Sequence, residues 1–280
     1  MVRCCSSSTT CEDPVQERNL GTPELRDMKI AVCIKQVPSR EWQPRLTEDK
    51  TWVREEDSTY ETNEPDAYAL EEALRIREKH GGDVVVCSAG PARVVRVIRD
   101  ALARGADRAL HVEADELGPA DAFMVADALA PAMREEAFDL VLTGLQSDDQ
   151  GHAQMGVVLA ERLGIPHSTI IMEVNMEDGA LRIKRELEGG WFQWIAMPLP
   201  ALLTIQSGIN QLRYATLKGI MAAKKKEIKK VPVPDGLQCS QAIVGLAVPT
   251  KTKQTQMIAG SPVEVAAELV RRLREEARAL

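Results

Sequence analysis

The stretch FDLVLTGLQSDDQGHAQMG, residues 138–156, runs from an apolar segment into Gly, Gln, Ser and paired Asp, and a helical pattern follows. Where a buried strand ends in a small polar loop that feeds a helix, the first-turn N–H groups lack backbone partners and attract an anion such as a phosphate. Asp148 and Asp149 oppose that reading, because carboxylates repel phosphate. The same residues can cap a helix or hold ribose hydroxyls and loop amides. A capped surface turn with no ligand is the competing account of the loop. Two further apolar runs end in small or polar residues, at Gln36-Val37 and at Ser88-Ala89-Gly90. The loop matches neither a Walker sequence nor GxGxxG.

These residues need a scaffold, and the pattern around them supplies one. KIAVCIKQV (29–37) is apolar on both faces and rich in β-branched residues, as in a strand covered on both sides. A polar excursion with Trp42, Trp52 and Tyr60 follows and predicts a hairpin. PDAYALEEALRIREKHGG begins with Pro65, repeats Ala69, Leu70, Ala73, Leu74 and Ile76 at helical spacing, and stops at Gly81-Gly82. The alternation continues through the strand DVVVCSAG, the helix PARVVRVIRDALARGA, the strand DRALHVEA and the helix PADAFMVADALAPAMREE, which Pro131 should bend or end. FDLVLTG, AQMGVVLAERLG and PHSTIIMEV add strand, helix and strand. Such alternation predicts an α/β fold, a mostly parallel sheet with helices on both faces. ALRIKREL and WFQWIAM, joined through Gly189-Gly190, read as antiparallel strands, and PALLTIQSG as the final sheet strand.

The resulting division is a disordered leader over 1–27, an α/β domain over 28–208, an extended arm over 209–260 and a helix over 261–280. The last helix carries Ser261 as cap, Pro262 at its first position, Glu264 for a capping box, and an apolar stripe of Val265, Leu269, Leu273 and Ala277.

Bulk composition narrows the function. The 280 residues carry a formal charge of −7, which disfavours a nucleic-acid partner. Six cysteines form no CxxC pair, and four histidines form no metal set, so a reducing, cytoplasmic setting is expected. No apolar run approaches the ~20 residues that span a bilayer.

Four stretches, AVCIKQVP, NEPDAYALEEALRI, CSAGPA…IRDALARGADRALHV and QSGINQLRYATLKGIMAAKKKEI, give the chain from Met28 to about Lys230 a resemblance to the electron transfer flavoprotein beta-subunit family, which includes the FixA proteins. The resemblance implies an adenine-nucleotide fold of the alpha-hydrolase-like type, with no catalytic acid or base of its own. It also implies an alpha subunit that holds most of the flavin site. Nucleotide contacts carry over to Cys33, Asn63, Asp66, Ser88, Ala89, Gln146, Ser147, Asp149, Gly151, Ala153, Gln154 and Met155. For Asn63, a cap at the helix start is the alternative. Ordinary members read DDDCNQTG and bind AMP here. This chain reads DQGHAQMG, so Ala153 and Met155 stand in place of two polar residues. That exchange leaves room for a diphosphate and points to FAD rather than AMP, as in electron-bifurcating members that take electrons from NADH and pass one to a low-potential acceptor.

The segment RYATLKGIMAAKKKEIKK resembles the family's recognition loop for acyl-CoA dehydrogenases and related flavoenzymes or quinone oxidoreductases. Tyr214, Leu217, Ile220 and Met221 would fill a partner's pocket, with Lys224, Lys225 and Lys226 steering acidic surfaces; a merely solvated surface is the alternative. Two other classes suit the α/β pattern. An ATP-handling hydrolase of this fold would need a Ser-Gly-Gly loop after the first strand, where KQVPSRE stands. An AMP-dependent interaction module would move no electrons.

Overall fold

The computed structural model describes residues 28–55, 58–117, 119–177, 180–249 and 255–280. The leader over 1–27 lies outside them. The first apolar run divides in two, into β1 (Lys29–Cys33) and the short β2 (Gln36–Pro38), which leaves the main sheet and pairs antiparallel with β3 (Tyr60–Thr62). Then follow α1 (Glu64–His80), β4 (Asp83–Gly90), α2 (Val95–Arg104), β5 (Arg108–Glu113), α3 (Ala122–Glu136), β6 (Leu140–Gly144), α4 (Met155–Leu163) and β7 (His167–Glu177). An antiparallel extension, β8 (Ala180–Glu186) and β9 (Phe192–Met197), precedes β10 (Ala201–Ile205), α5 (Leu217–Ala223), β11 (Ile228–Val231) and α6 (Pro262–Glu275).

Among the described residues nine strands form one sheet in the order β11-β5-β4-β1-β6-β10-β7-β8-β9. All pairs from β11 through β7 are parallel, and the β7–β8 and β8–β9 pairs are antiparallel. Burial on both faces explains the unbroken apolar strands. Ile30, Val32, Val84 and Val86 pack beneath α1 and α2, whereas Ala31, Cys33, Val85 and Cys87 pack beneath α3 and α4. The chain turns toward β4 on one side of β1 and toward β6 on the other. Crossovers therefore diverge beyond the carboxyl end of β1, the place where open parallel sheets leave a crevice.

Of the two outcomes expected at Pro131, ending is excluded, since it sits inside α3. Two expectations need correction. The sheet does not finish with β10, which is an inner strand between β6 and β7; β11 lies at the opposite edge, parallel to β5. The segment after residue 209 is also more regular than its composition implies, since it holds α5 and β11. By contrast, α6 has the expected capping box, in which Ser261 accepts from the Glu264 amide and the Glu264 carboxylate accepts from the Ser261 amide. Among the described residues no helix is long and apolar enough to cross a membrane.

The seat of α4 depends on Gly156, where an added Cβ would lie 2.8 Å from both Thr143 Oγ1 and Thr204 Cγ2. Both threonines are buried strand residues that cannot swing away. We expect Gly156→Ala to lower unfolding free energy by about 1–3 kcal/mol, read as a shifted urea midpoint at unchanged slope.

Candidate functional site

The carboxyl ends of β1, β4 and β6 border a cavity enclosing ≈ 850 Å³, counting the solvent at its mouth. Cys33, Cys87 and Ala89 supply its sheet floor, and Leu117, Ala120, Val125 and Leu129 an apolar wall on the α3 side. Asn63, Asp66, Gln146, Ser147, Gln150 and Gln154 line the polar remainder with Lys35, His152, Ala153 and Met155. A pocket lined mostly by apolar side chains with a few convergent polar groups is of the kind that takes an organic ligand.

Two residues at the start of α1 hold the polar side together. The buried Asp66 carboxylate accepts the Lys35 amide at 2.8 Å and the Gly144 amide at 2.9 Å, tying the end of β1 to the end of β6. Gly144 permits this approach, because a Cβ there would fall 2.4 Å from Asp66 Oδ1. Asn63 donates to the Gln146 carbonyl at 3.0 Å and accepts the Asp148 amide at 2.9 Å. It makes no side-chain cap on α1, so its work is to hold the 146–148 loop.

Lys35 is the cation that the sequence reading overlooked. Its ammonium donates to Asp149 at 2.8 Å, Gln150 at 3.0 Å and Ser147 at 3.3 Å, and so gathers the loop after β6. Asp149 therefore closes the loop instead of capping a helix, and no side chain caps α4, which begins at Met155. Gly151 donates its amide to the Ser147 carbonyl at 2.8 Å with φ 65°, the left-handed turn that glycine accepts without strain. Ala153 holds a similar φ of 53° without glycine's freedom.

Nine of the twelve nucleotide-contact residues implied by the resemblance line the cavity: Cys33, Asn63, Asp66, Ala89, Gln146, Ser147, Ala153, Gln154 and Met155. Asp149 and Gly151 shape the loop from outside it. Ser88 faces the other side of the sheet, where its hydroxyl donates to the Ile34 carbonyl at 2.8 Å. Strand alternation requires this, since Cys87 and Ala89 both point into the pocket. Val125 and Leu129 were missed because a helical stripe looks the same whether it meets a core or a ligand, and Leu117 because it ends a short turn before α3.

Burial drives the ionisation pattern. Desolvation pushes the Cys87 thiol up to about 12 and Cys33 well above its ordinary value, so both stay protonated and act as small apolar residues. It also lifts Asp66 to about 7, against the lowering effect of its amide donors and Lys35. Among the described residues no group of three or more His, Cys, Asp and Glu could hold a metal ion.

The exposed face of the region after residue 209 forms a second candidate site. Asn210 donates to Glu72 at 2.9 Å and to the Tyr68 carbonyl at 3.1 Å, while Arg213 pairs with Glu71 and Glu78; together they strap this segment to α1. Thr216 caps α5, and Gly219 brings the helix so close to α2 that a Cβ would meet the Ala103 carbonyl at 2.3 Å. With that face docked, Tyr214 is 92% exposed, Leu217 83% and Met221 65%, and Ile220 is also exposed. Lys224 and Lys225 are exposed too. Lys226 differs from the steering role expected of it, since its ammonium donates to the Leu102 and Ala106 carbonyls at the end of α2.

The family model described as the electron transfer flavoprotein domain matches residues 51–236, from the hairpin through β11. A protein of Methylophilus methylotrophus called electron transfer flavoprotein subunit beta is 39% identical over 261 residues, covering 89% of this chain and 98% of its own. The chain belongs to the electron transfer flavoprotein beta-subunit family. Proteins of the same name from Homo sapiens and Bacillus subtilis are 35% and 32% identical, covering 91% and 81% of this chain and 100% and 91% of their own. The family match spans Asn63, Asp66, the loop after β6, the Arg213 strap and the α5 surface, while Cys33 and Lys35 of the pocket precede it.

The raised Asp66 predicts a pH dependence. Its folded value of about 7 lies above an unfolded value of about 4, so the folded state binds more protons between those limits. The stability from neutral Asp66 is fully present below about pH 4 and lost as pH rises through about 7. Asp66→Asn should flatten that fall in the urea-derived stability profile; an undiminished slope between pH 4 and 7 would place the titration elsewhere.

Proposed function

We propose that this chain pairs with an alpha subunit, binds FAD in the pocket at the carboxyl edge of the sheet, and works in a cytoplasmic, electron-bifurcating flavoprotein that takes electrons from NADH. One observation carries the FAD reading. Ala153 and Met155 line the pocket at the start of α4, where the family's AMP-binding pattern has two polar side chains, so the space beside Gln154 suits a diphosphate better than AMP.

The remaining lining supports a dinucleotide. Leu117, Val125 and Leu129 offer an apolar wall to a flat ring, while Asn63, Gln146, Ser147 and Gln154 offer hydrogen-bonding groups to ribose and phosphate. The uncapped start of α4 presents backbone N–H groups and a favourable dipole end. Lys35, from the end of β1, adds positive charge beside that loop. Bound FAD supplies the chemistry of accepting a hydride and releasing electrons singly, and the chain supplies placement and electrostatics.

Two surfaces suit protein partners. No residue of α6 is buried, although Leu269 and Val270 make it apolar, as expected of a helix that packs on the alpha subunit. The outward residues of α5, with Lys224 and Lys225 beside them, suit the pocket of an acyl-CoA dehydrogenase, a related flavoenzyme or a quinone oxidoreductase.

Nucleotides released by denaturing the purified two-subunit protein test the cofactor assignment. Two FAD per heterodimer are expected, and one FAD with one AMP would instead assign this pocket to AMP and remove bifurcation. For the partner surface, Leu217→Ala should slow electron transfer to the partner dehydrogenase about tenfold with flavin content unchanged. Unaltered transfer would refute the role of α5.

A further inference from the structure

The wall of the pocket formed by α3 is held by a carboxylate that also holds the chain beyond β11. Asp121 is the N-cap of α3, and its Oδ1 accepts the Met124 amide at 2.8 Å. Its Oδ2 faces away from the helix and accepts the amides of Ser240 and Gln241 at 2.6 and 2.7 Å. The residue is 9% exposed and lines the cavity together with Ala122 and Val125 of the same helical turn. Alongside it, Cys239 Sγ lies 3.4 Å from Met124 Sδ. Val231, Val233 and Leu237 pack on the core cluster that contains Leu117, Met124 and Leu129. Further on, the Leu246 amide donates to the Lys50 carbonyl at 2.7 Å. The segment after β11 is thus tied to the first turn of the pocket's α3 wall by charge-assisted hydrogen bonds.

We infer that Asp121 is a positioning residue that couples occupancy of the pocket to docking of the 239–241 segment. The inference rests on reading the cavity as the nucleotide site. A ligand seated against the first turn of α3 restrains that turn, and the restrained carboxylate keeps its acceptor aimed at the two amides. The docked segment in turn holds the wall in the shape that the ligand meets. Such linkage is reciprocal, so whatever factor the segment adds to ligand affinity, the ligand adds to docking of the segment. An N-cap needs one oxygen only. The second oxygen, turned outward onto two amides 119 and 120 residues away in sequence, does nothing for the helix.

Two substitutions separate coupling from helix capping. Asp121→Asn keeps an oxygen for Met124, because Asn is a good N-cap, but puts an N–H₂ group toward the segment. Gln241→Pro removes one of the segment's donors and leaves α3 and the pocket untouched. Both are compared with the wild-type chain, purified with its alpha subunit, by FAD and AMP release rates and by hydrogen exchange of the peptide containing Ser240 and Gln241. In the wild type, adding back the retained nucleotide should slow exchange of that peptide. In both variants the slowing should disappear and nucleotide release should quicken about tenfold. Unchanged release in both variants, with nucleotide still bound, would overturn the coupling alone. Retention of neither FAD nor AMP by the wild type would overturn the nucleotide reading and the coupling together.

Discussion

The site depends on one buried carboxylate between two diverging strands. Beyond the ends of β1 and β6 the chain departs in different directions, so the amides of Lys35 and Gly144 lose the ladder partners they would have inside the sheet. Each buried amide needs an acceptor, since leaving one unpaired costs about 1–3 kcal/mol. Asp66 meets both needs with its two oxygens, from a helix whose first turn lies against the strand ends. The crevice opens because this side chain substitutes for a missing strand. Asn63 extends the arrangement one turn earlier by holding the loop after β6. Desolvation of Asp66 is the electrostatic cost, visible in its raised proton affinity.

Most of the α/β order is legible in the sequence for a simple reason. A strand covered on both faces must be apolar throughout, and helices bounded by Pro and Gly are marked at both ends, as with Pro65 and Gly81. The exception, β11, reads IKKV, too short and too charged to stand out. It is an edge strand whose lysines lie in ion pairs, Lys230 with Glu113 and Lys229 with Glu136, and no periodicity announces such partners. Ser88 illustrates the opposite case. Its exclusion from the pocket follows from alternation with Cys87 and Ala89, and the sequence alone contained that information.

The residues of the candidate site divide along the same line. Asn63, Gln146 and Met155 were reachable through family resemblance, because they sit in motifs. Lys35 and Asp121 act through partners more than a hundred residues away, Asp149 in one case and Ser240 with Gln241 in the other. Nothing local distinguishes either from a surface charge. Their importance is a property of topology, which brings the end of β1, the start of α3 and the segment after β11 to one edge of the sheet.

The mounting of α5 separates what can vary from what cannot. Its inward side is fixed by the contact of Gly219 with the Ala103 carbonyl, by the buried Ala223, and by Arg99, which donates to the Ala223 and Lys226 carbonyls. Its outward side chains Leu217 and Met221 are mostly exposed, and Ile220 is about half covered. Mutational drift at Leu217 and Met221 therefore carries little folding penalty, and the composition of this face can change on an unchanged frame.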